Sequence, residues 1–411
     1  MAKKKQALSP EERLAAALVP EEEQPYELPE GWKWVRIGKI FIDVTDSQKK
    51  IKQKEYLLKG KWPVIDQGQH FIGGYSNADE LIYTDELPVI IFGDHTRNVK
   101  YIDFQFIQGA DGVKVLKPQS FVYSKFLFWL LKRIPFPSLG YRRHFPVLKK
   151  MVAPLPPLDE QQRLVARIES LFAKLDAAKV KVQAVLDSHE TRKAAILHAA
   201  FTGKLTAKWR SDAPEYRSVP LAEVCDSIFD GDHMPPPKSS SGVPFLVISN
   251  VNTGKLDFSD TRFVPQDYYD ALTDTRKPQN GDVLYTLVGT YGIPVLVDTD
   301  QAFCFQRHMA LLKPKEDVIL QRYLWYALQE KDFYREATRI AKGTAQLTVP
   351  IKGLRQLTIP MASLLEQQEI VAILDRLLGR EEEVRQSAES VLASIDRMKQ
   401  AILARAFRGE L

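Results

Sequence analysis

One segment of this 411-residue chain is written twice. Residues 151–205 slide onto 357–411 without a gap, with 19 identities in 55 positions. Pro154, Leu158, Glu160, Gln161 and Gln162 recur as Pro360, Leu364, Glu366, Gln367 and Gln368. At the far end KAAILHAAFTGKL (193–205) recurs as KQAILARAFRGEL (399–411). An ungapped match of this length points to internal duplication, so whatever forms must be built from two related halves.

Each copy reads as one long helix. Prolines stop at Pro157 and Pro360, and none interrupts 158–213 or 361–411. Apolar residues step by four and three through Leu164, Ile168, Leu171, Leu175, Ala178, Val182 and Val185. The second copy continues the phase through Ile370, Leu374, Leu377, Val384, Ala388, Val391, Ile395, Met398 and Ile402. That step is the seam of a coiled coil, with a period of about 3.5 residues. His189 and Arg192 interrupt the first stripe and Glu381 the second, while Gly203 and Gly409 stand where helices commonly end. A helix of about 40 residues is roughly 60 Å long and must bury such a stripe. Antiparallel pairing of the two copies is expected; an intermolecular coiled coil is the alternative.

The segments outside the helices, 25–157 and 207–363, are similar in size and rich in short strand-like runs. VIDQG, PVIIFGD and DGVKVL mark the first, and PFLVISNV, GDVLYTLVG, PVLVD and HMALLK the second. Each then supplies LKP (116–118 and 312–314) followed by an aromatic helical run, KFLFWLLKR or RYLWYALQE, whose rings are expected to pack in the core. The heads are therefore expected to be duplicated as well, though more diverged than the helices.

Charge supplies a second clue. Residues 112–158 contain no Asp or Glu but nine Lys or Arg, and 337–365 are again free of acids. An acid-free basic segment at the same place in both halves suits a phosphate backbone, although a solvated basic face has the same composition. The candidate contacts are Arg97, Lys132, Arg133, Arg142, Arg143 and Lys149 in the first half. In the second they are Arg307, Arg339, Lys342, Thr344, Gln346 and Lys352, the Thr and Gln lying in GTAQLTV.

Several chemistries lack their residues. There is no Asn-Pro-Pro-aromatic tetrapeptide of adenine methylases, no GxGxxG, and no Gly-Lys pair followed by Ser or Thr. The seven histidines are scattered, and the two GDH triplets (93–95 and 231–233) read as loops without metal-ligand companions. No catalytic residue, metal site or cofactor site is expected. Two cysteines, Cys225 and Cys304, exclude a disulfide framework. The N-terminal KKK followed by LAAALV is too short for a signal peptide, and a cytoplasmic protein is expected.

LPEGWKWVRIGKI (28–40), SVPLAEVCDSI (218–228), NGDVLYTLVGTYG (280–292) and both Leu-x-Glu-Gln-Gln helix starts, taken in order, carry a family likeness. The chain resembles the DNA-specificity (S) subunits of type I restriction–modification enzymes over nearly everything after residue 25. The resemblance implies an α+β chain with two globular β-rich target-recognition domains, separated by two long helices forming an antiparallel coiled coil with pseudo-two-fold duplication. The implied layout is an extension (1–24), recognition domain 1 (25–157), spacer 1 (158–206), recognition domain 2 (207–363) and spacer 2 (364–411). The implied partners are double-stranded DNA, two methyltransferase (M) subunits and restriction (R) subunits, with S-adenosylmethionine, ATP and Mg held by those partners. A coiled-coil protein-binding adaptor and a stand-alone two-headed DNA-binding regulator are the other readings. MASLLEQQ departs from LPPLDEQQ, so the second helix could start differently. For residues 1–24, a short helix capped by Ser9 and a flexible tail both remain open.

Overall fold

A computed structural model of the chain describes residues 8–136, 142–208, 216–231, 236–344 and 346–411. The chain divides into two compact units, residues 1–182 with 390–411, and residues 183–389. Both boundaries fall inside long helices, so each unit combines one β-rich head with a piece of both helical copies.

In the first unit, helix α1 (Pro10–Ala15) opens with a capping box between Ser9 and Glu12. Residues 17–19 then extend the edge of strand β1 (Lys33–Arg36): the Val19 amide donates to the Trp34 carbonyl and the Arg36 amide to Ala17, at 3.0 and 2.8 Å. The described part of the extension, from residue 8, is therefore docked on the head, and Leu14 and Ala17 join the core. Strands β2 (Phe41–Asp43), β3 (Lys50–Ile51), β4 (Trp62–Ile65), β5 (Gly74–Ser76), β6 (Val89–Gly93), β7 (Val99–Ile102), β8 (Ile107–Gly109) and β9 (Val113–Pro118) build two four-stranded sheets. Their orders are β2-β9-β6-β7 and β3-β8-β4-β5. Helix α2 (Ser124–Arg133) buries Phe126, Leu127, Leu130 and Leu131. Helix α3 (Phe145–Lys150) follows, and β10 (Val152–Leu155) pairs antiparallel with β1, closing the head where it began.

Helix α4 (Leu158–Asp187) leaves the first head, and α5 (His189–Phe201) continues it into the second unit. Strand β11 (Arg217–Pro220) pairs with β19 (Thr358–Met361) as β1 does with β10. After α6 (Leu221–Val224) come β12 (Cys225–Asp230), β13 (Val243–Leu246), β14 (Arg262–Val264), α7 (Gln266–Asp270), β15 (Val283–Thr286), β16 (Pro294–Leu296), β17 (Cys304–Phe305) and β18 (Met309–Pro314). They form sheets ordered β12-β18-β15-β16 and β14-β13-β17. Helices α8 (Gln321–Ala327), α9 (Lys331–Ile340) and α10 (Ile351–Leu354) precede β19, and α11 (Leu364–Ala406) ends the chain. Among the described residues the sheet orders repeat those of the first head with one strand fewer, so the heads are duplicated too. The LKP tripeptides end matching strands, with Pro118 opposite Phe41 and Pro314 opposite Cys225.

The repeated glutamine has a physical cause. Gln161 and Gln367 are fully buried in the first turns of α4 and α11. A buried amide must be satisfied on both atoms. Gln161 Oε1 accepts from the Tyr123 amide (2.8 Å), while its Nε2 donates to the Phe121 and Pro156 carbonyls. Gln367 does the same with the Leu320 amide (2.8 Å) and the Val318 and Ala362 carbonyls. Each glutamine staples its helix to the loop that starts the aromatic helix. Despite MASLLEQQ, the second helix starts in the same register as the first.

Within each unit the helical pieces run antiparallel. Lys399 pairs with Asp176, and Lys179 with Asp396 at 3.5 Å, in the first unit; Arg192 pairs with Glu381 at 2.8 Å in the second. Two of the three residues that broke the apolar stripes, Arg192 and Glu381, thus meet one another. The seam is unevenly covered: Leu164, Ile168, Ile370, Leu374, Ala388 and Ile395 are buried, but Val185, Val384, Val391 and Met398 are exposed. Gly203 and Gly409 both adopt positive φ, 74° and 76°, as residues just past a helix end do. No helix among the described residues is long and apolar enough to cross a membrane.

Candidate nucleic-acid interface

In the first head, folding gathers basic residues that lie far apart in sequence. Arg97 sits at φ 63° in the exposed turn between β6 and β7. Buried Asp94, in the same turn, accepts from the Phe145 amide through Oδ1 (2.7 Å), and its carbonyl accepts from the His144 amide (2.8 Å). Asp94 thereby fastens the Arg97 turn to the segment carrying Arg142 and Arg143, both exposed. Gln67 holds the turn from below: its carbonyl accepts from Thr96 Oγ1 (2.6 Å) and Asn98 Nδ2 (2.9 Å).

Arg97 and Lys132 line one cavity of about 300 Å³ with Asn98 and Phe136. Burial lowers the Lys132 pKa, and its ammonium lies 5.7 Å over the Phe128 ring. Exposed Lys149 covers Phe145 at 5.0 Å. Arg133 is the least available of the set. Its guanidinium lies 5.9 Å over the Phe407 ring and burial lowers its pKa. Residues 137–141, at the centre of the acid-free stretch, lie outside the described residues.

The second head makes a comparable gathering with different side chains. Lys342 and Thr348 exchange two backbone hydrogen bonds of 2.8 Å, closing a small loop over GTAQLTV. The Gly289 amide donates to the Leu347 carbonyl (3.1 Å), docking this loop on the strand end after β15. Gln346 consequently lines a polar cavity of about 370 Å³ with Arg262, Gln306, His308 and Thr290. Arg307 is exposed in the same turn as Gln306 and His308, and burial followed by the Arg307 charge lowers the His308 pKa. Lys342, Thr344 and Lys352 are exposed; Ala345 lies outside the described residues. Arg339 is exposed and paired with Glu336 one turn earlier on α9, a contact of a few tenths of a kcal/mol that a phosphate could replace.

Arg262, Gln306 and His308 were not picked out from the sequence. Only the pairing of β13 with β14 and β17 brings Arg262 near Gln306. The GDH triplets are not counterparts: the first ends β6, whereas the second begins after β12, with residues 232–235 outside the described set. Both thiols are buried, and burial pushes each pKa up to about 12, so neither is a nucleophile at neutral pH.

The family described as "Type I restriction modification DNA specificity domain" matches residues 29–186 and again 215–389. The chain belongs to this family. This DNA-specificity protein is 23% identical to the EcoKI specificity subunit of Escherichia coli K12, over 93% of this chain and 90% of that one. It is 25% identical to the MjaVIII specificity subunit of Methanocaldococcus jannaschii, over 78% and 79%. The HsdS subunit of Thermoanaerobacter tengcongensis shares the fold, with a TM-score of 0.60 at 22% identity and coverage of 95% and 100%. A chain from a type I restriction–modification assembly aligns with a TM-score of 0.67, also at 22% identity, over 94% and 100%. Two matched segments on two heads fit recognition of a bipartite DNA target by this specificity subunit.

Proposed function

We propose that each head reads one half-site of a split duplex, and that the helices hold two methyltransferase subunits and, with them, the restriction subunits. The chain itself supplies no catalytic group and no cofactor site; S-adenosylmethionine, ATP and Mg belong to the partners. The observation that carries this reading is the repetition of one head, one stapled helix start and one exposed basic loop cluster in both halves. Support for partner docking comes from the helices. In the first unit an apolar groove of about 520 Å³ lies between α4 and the last turns of α11, lined by Leu171, Leu175, Met398 and Ile402. At the repeat-equivalent positions of Leu175 and Met398 the second unit has Glu381 and Arg192, joined in an ion pair. The two halves therefore offer a partner similar but unequal faces.

The test is the salt dependence of duplex binding. Changing Arg142 and Arg143 together to alanine, or Lys342 with Lys352, should weaken binding, and each lost phosphate contact should lower the log–log slope by about 0.9. An unchanged slope for both pairs makes these residues a solvated basic face. The purified chain should also show no methyltransferase, nuclease or ATPase turnover. Activity abolished by a point change within this chain would contradict that assignment.

A further inference from the structure

Folding brings together three side chains that the sequence keeps apart: His198 on α5, Glu330 at the N-cap of α9, and Asp332 in its first turn. His198 Nδ1 lies 3.2 Å from Glu330 Oε1 and 3.9 Å from Asp332 Oδ2. The three donor atoms fall within 4.8 Å of one another. Donors bound tetrahedrally at ~2.0–2.2 Å from a common zinc ion sit roughly 3.3–3.6 Å apart, so a small rotation of exposed Asp332 completes the set.

The charge balance favours a cation. The Glu330 side chain is only 8% exposed, and its Oε2 is fixed by the Asp332 amide at 2.5 Å. Among the described residues its ion-pair partner is His198; Arg335 is engaged with Asp332 instead. The cluster sets two carboxylates beside one imidazole, with the Arg335 guanidinium on Asp332, so a bound cation would supply countercharge to buried Glu330. His198 and Asp332, at 49% and 58% exposure, leave the site open for an ion and a completing water. One imidazole with two carboxylates suits Zn²⁺ better than Mg²⁺ or Ca²⁺, which prefer oxygen-only shells.

The duplication shows what such an ion would do. At the repeat-equivalent of His198 the first unit has Ala404, and Arg133 aligns with Glu330 across the two aromatic helices. There the end of α11 is tied to its head through Arg133 on the Phe407 ring. We propose that His198, Glu330 and Asp332 form a Zn²⁺ site that ties the end of α5 to the second head, a metal-dependent counterpart of that cation–π contact.

The experiment is a calorimetric titration of the chelator-treated full chain with ZnCl₂, alongside its thermal unfolding. One equivalent should bind, and the midpoint of the second unit should rise with zinc but not with MgCl₂. His198→Ala and Asp332→Asn should each weaken binding by more than about tenfold, since even outer-shell partners of metal sites are worth ~10–100-fold. Both side chains are exposed, so both variants should retain the fold, with unchanged circular dichroism. Absence of zinc binding, equal affinity in wild type and both variants, or an unmoved wild-type midpoint would each overturn the proposal.

Discussion

Phe407→Ala is expected to destabilise the first unit by about 3–5 kcal/mol, the usual cost of emptying a fully buried phenylalanine site. Four residues of the sequence follow it, a place where truncation is normally tolerated. Here the chain end is core. Phe407 is fully buried, its ring lies 5.2 Å from that of Phe126 on α2, and Leu403 and Ala406 are buried beside it. Arg133 would lose its aromatic partner at the same time. The second unit contains the same device with its own parts, Phe201 against Tyr323 at 5.3 Å, and should be unaffected. Since a domain is stable by only about 5–15 kcal/mol, the loss should separate one unit's melting from the other's. Hydrogen exchange would read it directly: protection in 124–133 should fall, while that in 321–327 holds. A loss under about 1 kcal/mol, or equal loss in both helices, would mean that the C-terminal segment is not part of the first unit's core.

This arrangement was partly legible in the sequence. The repeat, the 4–3 apolar step and the proline stops are local signals, and they located both helical starts; the first copy, expected as one helix, is divided at Ser188, and both copies end five residues before the expected 206 and 411. Antiparallel pairing followed from the need to bury the stripe. That Arg192 and Glu381 would meet was not legible, because each looked only like a defect in its own helix. Phe201 and Phe407 were visible as repeat identities, but nothing local says that each packs against an aromatic helix of the other half. The basic residues illustrate a different limit. Composition marked acid-free stretches, yet whether a cation is free or spent depends on its neighbours in space. Arg133 and Arg142 look alike in sequence; one lies on Phe407 and the other is exposed. Arg262, Gln306 and His308 escaped notice because strand pairing alone gathers them. The cluster of His198 with Glu330 and Asp332 was hidden for the same reason.

Adding one heptad to each long helix, near Ala178 and Val384, should give a methylated motif with the same two half-sites and a longer unread gap. The chain passes between the units only at 182–183 and 389–390, both inside these helices, so lengthening both copies lengthens every covalent connection. Both insertion points are exposed. Seven residues keep the stripe in phase, and the segment between the insertions slides by one heptad against its partner. Asp176 with Lys399 and Arg192 with Glu381 keep their partners, because each pair lies outside that segment. Lys179 with Asp396 is lost, but both are exposed, so the cost is about 0–1 kcal/mol. The added length is roughly 10 Å at ~1.5 Å per residue, or about three base pairs at ~34 Å per turn of duplex. Three base pairs also turn the second half-site by about a third of that helical turn. Activity is therefore expected to fall even as the gap grows. The measurement is sequencing of methylated adenines in cells carrying the variant with its partner subunits, after circular dichroism has established that the helices form. An active variant that methylates the original gap would mean that something other than these helices sets the spacing between the half-sites.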